Sequence, residues 1–62
     1  MDSYFVGYCY GDEKQQFKDN MFLEAVDLID AFTTATEMLK EKFEVFYIEC
    51  ICKEDKSEYL FN

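Results

Sequence analysis

A single helical stripe stands in the middle of this chain, and everything around it has the composition of strands. Leu28, Ala31, Phe32, Ala35, Met38, Leu39 and Phe43 recur at three- and four-residue intervals, the spacing of one buried helix face. Asp27 is placed as the N-cap, Asp30 falls in the first turn where the helix dipole favours negative charge, and Lys40 and Lys42 fall near the opposite end. On either side the segments Ser3 to Tyr10, Phe17 to Ala25, Glu44 to Lys53 and Glu58 to Phe61 are rich in aromatic and β-branched residues. Asp12 to Gln16 reads as a hairpin loop behind Gly11, Lys18 to Asn20 as a polar or bulged middle of the second strand, and Glu54 to Ser57 as a turn. The pattern is ββαββ in one compact domain spanning residues 1–62, with no linker or repeat.

A right-handed crossover through the helix puts strand three beside strand one and parallel to strand two. The expected fold is therefore an α+β two-layer sandwich with a four-stranded antiparallel or mixed sheet, order 2-1-3-4, and the helix on one face. One helix cannot cover both faces, and both are apolar. Strict alternation separates Tyr4, Val6, Tyr8 and Tyr10 from Phe5, Gly7 and Cys9 on strand one, and Val45, Tyr47, Glu49 and Ile51 from Phe46, Ile48, Cys50 and Cys52 on strand three. The reading adopted is that Phe5, Gly7, Phe46 and Ile48 face the helix, with Gly7 admitting Phe32 or Ala35 closely. Tyr4, Tyr8, Tyr10 and Tyr47 then point outward, joined by Ile51 and Phe22.

Composition narrows the function classes. Half of the 62 residues are hydrophobic and 19% aromatic, too apolar for a disordered acidic tail even at a net charge of −8. Six lysines and no arginine among 14 acidic residues cannot form the positive track that phosphate neutralisation needs, which argues against direct nucleic-acid binding. The apolar runs are short for a membrane span, a polyanionic surface is repelled by anionic lipid, and no secretory signal is visible, so the expected location is cytoplasmic. Cys9, Cys50 and Cys52 read as reduced, packed thiols: as zinc ligands they lack a fourth partner, and Cys9 lies far along the sheet from the other two. No imidazole activates a thiol, no glycine-rich loop cradles phosphate, and the helix-start carboxylates are accounted for by capping. The reading is of no enzyme, cofactor or metal site.

The outward tyrosines carry the functional expectation. A rigid aromatic patch able to hydrogen-bond at its rim is the composition of a protein-contact surface. The expected partner-binding residues are Tyr4, Tyr8, Tyr10, Tyr47 and Ile51, with Asp12, Glu13 and Glu49 as acidic neighbours. The strong negative charge would steer the chain to a basic surface, such as the nucleic-acid groove of another protein.

In size, acidity, aromatic richness and ββαββ pattern the chain resembles small phage-encoded inhibitors of bacterial defence systems, the anti-CRISPR type. That resemblance implies stoichiometric occupation of a defence effector in the host cytoplasm, in some cases with carboxylates standing where nucleic-acid phosphates would sit. The alternative reading is a small self-associating structural or accessory protein whose aromatic face forms a homodimer.

Overall fold

The structure is a computed structural model that describes residues 1–60; Phe61, expected to close the last strand, lies outside the described residues. Its elements are β1 (Asp2–Gly11), β2 (Gln16–Ala25), α1 (Leu28–Lys42), β3 (Phe46–Lys53) and β4 (Tyr59–Leu60). The sheet runs β2-β1-β3-β4 with every neighbouring pair antiparallel, so the expected ββαββ architecture and strand order are present. The short middle run Lys18 to Asn20 does not interrupt β2: its pairing with β1 runs unbroken from Gln16 to Ala25.

Local chemistry sets the boundaries. The Asp27 carboxylate accepts the Asp30 N–H at 2.8 Å, and the Asp30 carboxylate accepts the Val26 N–H at 3.0 Å, so two carboxylates satisfy amides at the helix entrance reciprocally. In the first hairpin, Oδ1 of Asp12 accepts the N–H groups of Lys14 and Gln15, both at 2.9 Å. Gly11 enters this loop at φ +124°, where a Cβ would collide with the Gln15 carbonyl oxygen. The second turn places Lys56 at φ 63° and is held by Asp55, whose carboxylate accepts both the N–H and the hydroxyl of Ser57.

The helix lies on the face opposite to the one expected. Tyr4, Val6 and Tyr8 of β1 and Ile51 of β3 form the core with Ala25, Ala31, Ala35 and Leu39, while Tyr10, Met21, Leu23, Phe32, Phe43, Phe46 and Ile48 pack around it. Tyr4 retains 1% of its surface and Ile51 none. Volume matching explains the choice. The buried stripe of α1 is Ala31, Ala35 and Leu39, so the sheet has to supply the bulk, and long tyrosine rings fill what two alanines leave open. Gly7 lies on the far side, where a Cβ would come within 3.1 Å of the Cys50 sulfur and 3.6 Å of the Phe5 ring.

One irregularity reconciles β3 with this arrangement. The register between β1 and β3 passes from Gly7 opposite Cys50 to Tyr8 opposite Ile48, leaving Glu49 as an extra residue in a β-bulge. The bulge reverses the alternation halfway along β3. Phe46, Ile48 and Ile51 therefore all face the helix, while Tyr47, Cys50 and Cys52 face away, a grouping that unbroken alternation cannot produce.

Candidate functional site: the open face of the sheet

The face away from the helix is built from direct cross-strand neighbours, which share a side in an antiparallel sheet. Phe5 stands opposite both Phe22 of β2 and Cys52 of β3, Cys52 stands opposite Tyr59 of β4, and Gly7 stands opposite Cys50. Farther along, Cys9 stands opposite Tyr47 and Lys18. Phe5 and Phe22 meet edge to face with ring centroids 5.5 Å apart. Phe22, Tyr47 and Tyr59 are 63%, 52% and 57% exposed, so three large rings of this face look into solvent.

Electrostatically the face is quiet for so acidic a chain. The strands carry Asp2, Asp19, Glu24 and Glu49, and of these Glu24 and Glu49 belong to the open side, where Glu49 pairs with Lys18 at 3.4 Å. Hydrogen bonding to the neighbouring Cys9 raises the Tyr47 hydroxyl above the ordinary tyrosine range, with burial and the Glu49 charge adding to it. Tyr47 is thus a neutral hydrogen-bonding group at physiological pH. An apolar centre depleted of charge, with polar groups at its margin, is the composition of an interface core.

The residues expected to bind a partner separate into three sets. Tyr4, Tyr8 and Ile51 are in the core beneath α1, which corrects their expected outward placement; burial raises both tyrosine hydroxyls above their usual range, with Glu58 adding to Tyr4 and Asp19 to Tyr8. Tyr10 is half-buried on the helix side, stacked between Phe43 at 4.1 Å and Phe17 at 5.3 Å. Tyr47 and Glu49 do lie on the open side. Asp12 is engaged in shaping its own turn, and Glu13 is exposed beside it.

The face assignment hid Phe5, Cys50 and Cys52 from this site, and Tyr59 of β4 was given no face. The signal that could have found them is the pair of alanines in the helix stripe, which demand large partners and so select Tyr4 and Tyr8 over Phe5 and Gly7.

Among the described residues no three cysteine, aspartate or glutamate side chains gather as a metal site, and no helix is long and apolar enough to cross a membrane. Two concavities among the described residues are open surface depressions, one bounded by Asp2, Ser3, Lys53, Glu54 and Asp55 and another by Tyr10, Asp12, Lys42, Phe43 and Val45. Compared with protein-family models, curated proteins and solved structures, the chain finds no match.

Proposed function

We propose that this chain is a non-enzymatic protein-binding module, a stoichiometric inhibitor of the phage anti-defence type, that occupies a host protein through the open face of its sheet. The observation that carries this reading is the exposure of Phe22, Tyr47 and Tyr59 on one charge-poor face of a protein whose net charge is −8. Aromatic rings held on rigid strands bury large area at low entropic cost, and a patch of this kind on a small domain is a contact site. The open-side carboxylates Glu24 and Glu49 and the net charge of −8 supply long-range attraction to a basic partner, the electrostatics expected of a nucleic-acid-binding effector.

Capture from the host cytoplasm, followed by activity assays on the captured protein, tests the proposal. Wild-type chain should retain a partner and inhibit it at one-to-one stoichiometry. The Phe22→Asp/Tyr47→Asp variant should release it, whereas Ile29→Asp, on the exposed outer side of α1, should not. Retention by the sheet-face variant, or binding that leaves the captured protein fully active, would overturn the reading. Affinity should also fall steeply as salt rises; indifference to salt would remove the electrostatic part.

A further inference from the structure

We propose that two copies of this chain pair through the outer edges of their β2 strands, forming a twofold dimer with one continuous eight-stranded sheet. This goes beyond the binding role of the open face, because the pairing uses the strand edge and leaves that face uncovered. β2 is the sheet's edge strand and is ten residues long. It pairs with β1 in unbroken register and has no strand on its other side among the described residues. Its outward N–H and C=O groups line an uncovered edge; among them the Asn20 N–H is donated to the neighbouring Asp19 carboxylate at 2.8 Å, a local bond that strand pairing exchanges for a partner carbonyl. The other edge is less suited: β4 covers Ile51 and Cys52, and the remainder of β3 includes the bulge at Glu49.

The side chains of β2 select a second copy of itself. Two identical strands that meet antiparallel across a twofold axis set each residue opposite the one equally far beyond the axis. With the axis at Met21, Lys18 of one copy faces Glu24 of the other, and symmetry repeats the pair. Both residues belong to the open side, so the opposed charges share a face. In the same register Phe17, partly exposed, faces Ala25, the smallest side chain of the strand, and Met21 meets Met21.

Neighbouring registers lose this match. An axis at Asn20 sets Lys18 against Phe22, and an axis at Phe22 sets Lys18 against Val26. Asp19 faces Leu23 in the proposed register, but it sits on the exposed half of the strand. Lys18 is 76% exposed in its contact with Glu49, so its ammonium can reach a second carboxylate. Both helices then lie on one side of the joined sheet, and the two open faces merge into a single surface with Phe22 of each copy near its centre.

Charge exchange tests the register directly. Sedimentation velocity at tens of micromolar should give twice 7.4 kDa for the wild type. Lys18→Glu and Glu24→Lys should each weaken association by about tenfold or more, since like charges then oppose each other twice, and the double exchange should restore it. Glu24→Lys is decisive because it reduces the net charge from −8 to −6, so relief of general repulsion would strengthen association where the register requires weakening. Glu49→Gln, which removes only the ion pair within one subunit, should leave the dimer intact. Circular-dichroism melting establishes that each variant folds; if Lys18→Glu does not, Glu24→Lys alone decides. A monomeric wild type, or a dimer whose mass ignores these exchanges, would overturn the proposal.

Discussion

Ile51 and Phe22 have opposite fates, one with no exposure beneath the helix and one mostly exposed on the open face, which makes them sharp probes of the face assignment. Ile51→Ala empties a site with no exposure and should lower unfolding free energy by about 2–5 kcal/mol, read as a fall in the urea midpoint. Phe22→Ala removes a ring in contact with Phe5 but mostly exposed, and should cost under about 1.5 kcal/mol by the same measurement. Equal losses at the two positions would contradict the helix-side packing. The buried tyrosines also predict an alkaline limit. Tyr4 and Tyr8 have folded-state values raised above 10.0, first by burial, so their contribution is complete below the unfolded value and is lost as pH rises through the folded one. Stability should therefore decline above about pH 10, and Tyr4→Phe, which leaves Tyr8 to titrate, should make that decline shallower in a pH-dependent melting series.

Among the elements, α1 was the most legible, because a 3.6-residue period, an N-cap and terminal charges point one way, and Leu28–Lys42 with its Asp27 cap follows from them. Asp27→Ala should cost about 0.5–2 kcal/mol in urea unfolding through loss of that cap. The four strands and their order were legible for similar reasons: aromatic and β-branched runs separated by turn residues, joined by a crossover of fixed hand. The bulge in β3 was not. No residue type announces it, since Glu49 is extra only in relation to the register of β1 beside it. Removing Glu49 would join Ile48 to Cys50 and leave every other side chain of β3 on its present face. That deletion should fold with a melting temperature close to wild type, whereas deletion of Tyr47 should turn Phe46 out of the core and melt well below it.

As a whole the molecule is a thin slab of one helix on one sheet, with Cα extents of 36 × 21 × 14 Å. It exposes 4518 Å², more than the roughly 4,200 Å² typical of a compact chain of this mass. Part of that surface is the open sheet face, where nothing in the described chain covers Phe22, Tyr47 or Tyr59. The charge that keeps such a body dispersed is carboxylate charge, and the sequence pI is about 4.2. Light scattering should show reversible association beyond the dimer growing as pH falls toward that value, because the mutual repulsion of the particles disappears there.

The amino-acid order alone determined the elements, their topology and the excess of apolar ring surface over what one helix can hide, since periodicity, caps and turn residues act within a few positions along the chain. Which face the helix takes, and hence which rings remain outside, was decided only in three dimensions. That choice depends on fitting Tyr4 and Tyr8 over Ala31 and Ala35, and on a bulge that exists only between two strands. Neither relation is local, so an uncovered aromatic face bearing Tyr47 and Phe22 could be read from the chain, while the burial of Tyr4, Tyr8 and Ile51 beneath the helix could not.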